Sequence, residues 1–318
     1  MKPIGDMMSQ SKPIIAVVGS YVVGLTIRAP RFPVAGETLI GSDFDFGPGG
    51  KGSNQAVGIT RMGGKCHLLV KIGTDTFADT ALDLYKQEEI DLSDVIQTSQ
   101  FNTGVAVITL NQQGENHIIL DIGANADLAP GDVANFENKI IQSDAVLSVL
   151  EIHTETAMKA MELGRKFGKL TILNPAPASS LPDVMLPLID VITPNETELK
   201  ILLGKDPDHD GEPLELAREL QSRGAKNIVV TQGKSGALVI EHTGSVHQIP
   251  GISVEVVDTT GAGDAFNAAL ATTLGRGEDL AKAVRYAVIA GGLCCTKLGV
   301  IPAMPMQEEI ERIISELQ

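Results

Sequence analysis

Short apolar runs alternate with helical stretches along most of the chain. Segments 14–19, 68–72, 145–150, 170–173, 191–193, 228–231 and 237–240 are almost unbroken apolar runs, while 156–167 and 212–223 carry apolar residues at helical spacing. A strand that is apolar on both faces must be covered on both faces. The pattern therefore predicts an α/β fold, a mostly parallel sheet with helices on both sides. Two segments depart from it. Residues 37–46 and 103–122 alternate apolar and polar positions, the second around Gln112-Gln113-Gly114-Glu115, which predicts a separate small antiparallel sheet. The expected organisation is one domain over 14–318 that includes a small separate sheet from about 34–47 and 101–123, preceded by a disordered leader over 1–13.

Near the C-terminal end the chain reads Val257-Asp258-Thr259-Thr260-Gly261-Ala262-Gly263-Asp264-Ala265-Phe266. This reads as a strand running into small residues and then a helix over about 262–274. Glycines let a ligand approach the backbone closely, and a helix start offers unpaired N–H groups and the positive end of the dipole, so the segment suits an anion. Asp264 is then out of place, because a carboxylate repels a bound phosphate. It fits if it takes a proton from a hydroxyl that attacks that phosphate. The plainer alternative is an acidic residue in a first helical turn that complements the dipole.

Composition narrows the class. At 318 residues and 43% hydrophobic, the chain can bury a full core. A formal net charge of −15 and an aromatic content of 3% argue against a nucleic-acid surface and a membrane aromatic belt. The three cysteines cannot form a disulfide framework and read as free thiols. With no secretory signal and no apolar stretch long enough to span a bilayer, a cytoplasmic protein is expected.

A second glycine cluster, Gly47-Pro48-Gly49-Gly50-Lys51-Gly52-Ser53-Asn54-Gln55, changes the weight of the first. Together, FGPGGKGSNQAV and DTTGAGDAFNAAL resemble the two signatures of the ribokinase (PfkB) family of sugar and nucleoside kinases. Asn174-Pro175-Ala176-Pro177, Thr193-Pro194-Asn195-Glu196-Thr197-Glu198 and Thr231-Gln232-Gly233-Lys234-Ser235-Gly236 resemble further segments of the ribokinase branch in the expected order. Two rival motifs fail on context. Gly47, Gly49 and Gly52 satisfy GxGxxG, but an alternating strand precedes them instead of a buried parallel one. Gly233-Lys234-Ser235 ends like a Walker A loop, but Ile228 stands where its first glycine belongs.

The resemblance implies ATP, magnesium and potassium as cofactors, a small-sugar acceptor, the small sheet as a lid over that sugar, and a homodimer formed through the lid sheet. It implies that Asp264 is the catalytic base and that Gly261, Ala262 and Gly263 form an anion hole. Asn195, Thr231, Gly233, Lys234 and Gly236 match nucleotide-binding positions, and Glu198 matches a position that holds magnesium through water. Read without the family, Asn195 and Glu198 are also a capping-box pair, and the Thr231 segment is an ordinary turn. Asp258, Thr260, Cys294, Lys297 and Gly299 match positions that ligate a monovalent cation, with Ala303 where the pattern has Ser. Gly50, Lys51, Asn54 and Glu151 match sugar-contacting positions.

The chain departs from that pattern at Val22 and Gly24, where ribokinases carry an Asn and an Asp that grip sugar hydroxyls. A site without those groups is not expected to favour ribose. A deoxy sugar, another pentose, a ketohexose or a nucleoside is open, and a non-catalytic sugar- or nucleotide-sensing homologue is the reading from a different class.

Overall fold

The computed structural model describes residues 12–113 and 115–317. The leader expected over 1–13 falls almost wholly outside the described residues, as does Gly114 of the expected turn. The strands are β1 (Ile14–Val18), β2 (Val22–Arg28), β3 (Ser42–Gly49), β4 (Lys65–Ile72), β5 (Val95–Gln97), β6 (Gly104–Leu110), β7 (Asn116–Asp121), β8 (Ala145–Val149), β9 (Leu170–Asn174), β10 (Val191–Ile192), β11 (Asn227–Thr231), β12 (Ala237–Ile240) and β13 (Val246–Ile249). Nine of them form one sheet in the order β13-β12-β11-β10-β9-β8-β1-β4-β5, parallel except at β11/β12 and β12/β13.

The expected two-sided burial holds. Along β1, Ile15 and Val17 enter one core and Ala16 and Val18 the other. Helices Lys51–Arg61, Ala262–Gly275 and Leu280–Cys294 cover the first face, and Thr154–Lys166 and Pro213–Ser222 cover the second. Alternation of Cβ direction along an extended strand is what divides the runs between two layers.

The separate sheet is four-stranded, in the order β3-β2-β6-β7, with antiparallel ladders β2/β3 and β6/β7 joined by a parallel ladder between β2 and β6. It differs from the sequence reading at three points. Val22 and Gly24, which the sequence reading leaves outside both sheets, lie in β2 (Val22–Arg28), an inner strand of this sheet. The 37–46 segment contributes pairing only from Ser42, where β3 begins. In the main body, the strand expected to run through Val257 and Asp258 into the small residues does not form. Instead the amides of Val257 and Asp258 both donate to the carbonyl of Cys295, at 2.8 and 3.2 Å.

Candidate active site

Strand order fixes where the site lies. From β1 the chain winds one way through β4 and β5 and the other way through β8 to β11, so the loops after β1 and β8 diverge and leave a crevice at the carboxyl ends of the strands. Ser20 follows β1 and Glu151 follows β8. Across the crevice the Ser20 hydroxyl donates to Glu151 Oε2 at 2.5 Å. The backbone amide of Lys51 donates to the same oxygen at 2.8 Å, so Glu151 satisfies an otherwise unpaired donor at the start of the Lys51–Arg61 helix. That helix start lies directly on the first loop. A Cβ at Gly52 would overlap Ser20 N and Gly19 Cα, which is why a glycine is needed here.

Asp264 stands in the first turn of Ala262–Gly275 and is only 5% exposed. Its Oδ2 accepts from Asn54 Nδ2 at 2.8 Å and its Oδ1 from Gln55 Nε2 at 3.1 Å. Gln55 Nε2 also donates to Asn174 Oδ1, at 3.0 Å, at the end of β9. Helix N-cap Gly261 is in the left-handed region at φ 84°, where a glycine carries no steric cost. The amides of Gly263 and Asp264 meet no acceptor among the described residues, and nothing lies within 4 Å of where a Gly263 Cβ would be. The geometry is an open anion cradle with a buried carboxylate beside it.

The charge in the crevice is mutual. Burial pulls the Lys51 ammonium down, but the carboxylates of Asp264, Glu151 and Glu198 more than offset that and hold it above the ordinary lysine value. Burial pushes the Glu151 and Glu198 carboxyls above theirs in spite of the nearby Lys51. Of the expected acceptor positions, Asn54 bonds Asp264, the Lys51 amide bonds Glu151, and Gly50 is the N-cap of the helix that carries both; Asn54 Oδ1 is buried without a partner.

The positions expected to bind the nucleotide lie at the neighbouring strand ends. Asn195 caps Glu196–Leu202 and forms a capping box with Glu198, the two reciprocal bonds each 2.8 Å. The capping-box expectation holds, and the cap uses Glu198 Oε2 alone. Asn195 bridges to Thr231, whose amide donates to Pro194 O at 3.0 Å, so the two loops lie side by side. Beyond Thr231, Gly233, Lys234 and Ser235 make an exposed 3-10 turn, and Gly236 packs against Ile249 O with no room for a side chain.

The expected cation positions also come together. Asp258 Oδ1 accepts from the Thr260 amide and hydroxyl at 2.9 and 2.7 Å, and its Oδ2 from the Gly299 amide at 3.1 Å. Burial pushes the Asp258 carboxyl up, but these bonds outweigh it and hold it below the usual carboxylate range. Cys294 Sγ lies 3.8 Å from Thr260 O, and burial pushes its thiol up to about 12. The Lys297 ammonium points away, to Glu309 at 3.0 Å. No group of three or more His, Cys, Asp or Glu able to hold a metal occurs among the described residues. No helix among them is long and apolar enough to cross a membrane.

Ser20, Gln55 and Asn174 were not anticipated from the sequence. Gln55 sits inside a recognisable motif, but consecutive helix positions point about 100° apart, so nothing in the spacing says that residues 54 and 55 both reach one carboxylate.

The family model of the pfkB family carbohydrate kinases matches residues 13–307. The chain is 37% identical over 302 residues to the ribokinase of Staphylococcus aureus (strain COL), covering 94% of this chain and 99% of that protein. It is 35% identical over 302 residues to the deoxyribokinase of Salmonella typhi, covering 95% and 98%. The structure of Arabidopsis thaliana ribokinase complexed with ribose and ATP is similar with a TM-score of 0.89 at 27% identity, covering 96% of this chain and 99% of that one.

Proposed function

This chain belongs to the pfkB family of carbohydrate kinases and is a phosphotransferase with an alcohol group as acceptor; we propose that it transfers the γ-phosphate of ATP to a hydroxymethyl group of a small sugar. The observation that carries this reading is Asp264, a buried carboxylate held by two side-chain amides at the edge of an open helix-start cradle. The acceptor hydroxyl lies between Asp264 and the γ-phosphate. Asp264 takes its proton as the oxygen attacks in line, and the amides of the 261–263 turn stabilise charge on the transferring group.

Asn195, Thr231, Gly233, Lys234 and Gly236 line the nucleotide end, and Gly50, Lys51, Asn54 and Glu151 hold the sugar. The surplus of carboxylates around Lys51 suits a divalent cation, and Glu198 would hold magnesium through water beside the nucleotide phosphates. When bound, that ion neutralises charge on the phosphoryl oxygens. The loops that carry Asp258, Thr260, Cys294, Lys297 and Gly299 are tied together through the Asp258 carboxylate, and they would hold a potassium ion mainly through their backbone oxygens. The outer lid residues Phe44, Phe46 and Ile119 are 62%, 52% and 75% exposed, and a second copy of this chain would cover them.

A second reading is favoured at the acceptor. Val22 and Gly24 put no hydrogen-bonding side chain at the start of β2, which suits a deoxy sugar, another pentose, a ketohexose or a nucleoside better than ribose. Asp264→Asn tests the core of the proposal. ATP binding should survive while kcat falls by about two to four decades, and a variant within about tenfold of wild type would remove Asp264 as the base.

A further inference from the structure

We propose that Gln55 is a positioning residue for phosphoryl transfer, fixing the Asp264 carboxylate against the end of β9. The inference rests on Asp264 being the base. Gln55 is fully buried, and its Nε2 lies 3.1 Å from Asp264 Oδ1 and 3.0 Å from Asn174 Oδ1. Both neighbours are acceptors, so each of the two amide protons has a target and the side chain has only one workable orientation. Turning the amide over would set its oxygen against two other oxygens and strand both protons. The orientation has a cost, because Gln55 Oε1 is left buried without a partner. A buried orphan acceptor is unfavourable, and it persists where the rest of the site over-determines it.

Asn54 alone would leave the base free to turn. It holds Oδ2 from one side, and Gln55 holds Oδ1 from the other, so the carboxylate plane is defined by two points on one helix. Asn174 then ties that helix to the strand end from which the next crevice loop departs. A base that shifts by about 1 Å loses about a hundredfold in rate without any loss of substrate contacts.

Gln55→Met keeps the length and removes both donors. With ATP and the faster of ribose and 2-deoxyribose as acceptor, kcat should fall about ten- to a hundredfold, with both KM values within about threefold of wild type. Gln55→Glu adds a readout that a purely structural role would not move. The introduced carboxyl can donate to Asp264 only while protonated, so the ratio of its kcat to that of wild type should rise as pH is lowered from about 8 to about 6. If Gln55→Met fails to fold, the pH profile of Gln55→Glu carries the test alone. A flat ratio, a loss that appears in KM, or a Gln55→Met enzyme within about threefold of wild type in kcat overturns the proposal. If Asp264→Asn is inactive in the same assays, the base assignment survives that failure. An active Asp264→Asn overturns both.

Discussion

Restoring a carboxylate at position 24 should convert this enzyme towards ribose. Gly24 lies in the middle of β2, paired with Gly47 and Ala106, and its backbone is not in the left-handed region. A Cβ there would meet only Ile108 Cδ1 at 3.8 Å and Gly47 O at 3.9 Å, ordinary contact distances, so Gly24→Asp can be built without moving the strands. A carboxylate that accepts from two vicinal hydroxyls makes two charge-assisted hydrogen bonds, about 1.5–3 kcal/mol each. Against that stands the local charge, since Asp264, Glu151 and Glu198 already face a single ammonium, Lys51. Like charges separated by about 8 Å at an effective dielectric constant of about 20 repel by about 2 kcal/mol, and that is the scale of the penalty for one more carboxylate in the crevice.

The net gain is therefore about 1–4 kcal/mol, a rise in kcat/KM for ribose of about fivefold to about a thousandfold. Val22→Asn in the same chain adds a donor at a buried position and should increase the effect only if its amide reaches the sugar, so Gly24→Asp alone is the cleaner variant. The assay is steady-state ATP turnover over a panel of sugars and nucleosides, for wild type and both variants. Wild type should prefer some other acceptor, and the variant should lose on that acceptor what it gains on ribose. If wild type already prefers ribose over the whole panel, recognition of those hydroxyls comes from elsewhere, with Asp121 at the end of β7 the first place to look, and the reasoning is wrong.

Potassium should raise activity over sodium through the Asp258–Gly299 loops, and equal rates in potassium, sodium and a bulky organic cation would end that idea. The chain should sediment as a dimer at micromolar concentration, and Ile119→Asp on the exposed lid face should shift it to monomer; a wild-type monomer refutes the lid interface. Glu198 stands above the ordinary carboxylate value in the fold, so the folded state holds its proton more tightly than the unfolded chain, and stability present at low pH is lost as pH rises through that raised value. Glu198→Gln keeps a capping-box acceptor, so its Tm should gain on wild type between about pH 5 and about pH 8; a constant difference would show that Glu198 carries no such penalty.

The main sheet was legible because its strands are buried on both faces, which leaves near-continuous apolar runs such as 145–150 and 228–231. β2 escaped for a related reason. Val22 and Val23 are consecutive buried apolar residues followed by Gly24, and only 25–28 alternate, so the strand lacks alternation over its first half. The site was legible where chemistry demands small residues in sequence, at 47–52 and 261–263. It was not legible where contacts span the crevice. Ser20 and Glu151 are 131 residues apart, and their bond exists because β1 and β8 are adjacent at the point where the sheet changes direction, which no local pattern encodes.

The same division explains why overall similarity leaves the acceptor undecided. The chain is 37% identical to a ribokinase and 35% identical to a deoxyribokinase over nearly the same length, a difference too small to choose between them. Most of the chain builds the parallel sheet, its covering helices and the strand-end loops, and those parts position Asp264, the open cradle and the paired loops of Asn195 and Thr231. The small sheet is attached at the crevice through short segments. Asn125, fully buried, clamps the amide and carbonyl of Tyr21 at 2.9 and 2.7 Å and the carbonyl of Ile122 at 2.8 Å, so the chain just before β2 and just after β7 are held by one side chain. Positions on β2 beyond that clamp can change polarity without moving Asp264. An acceptor switch then needs only one or two side chains, each worth a few kcal/mol, in a fold whose transfer machinery stays fixed.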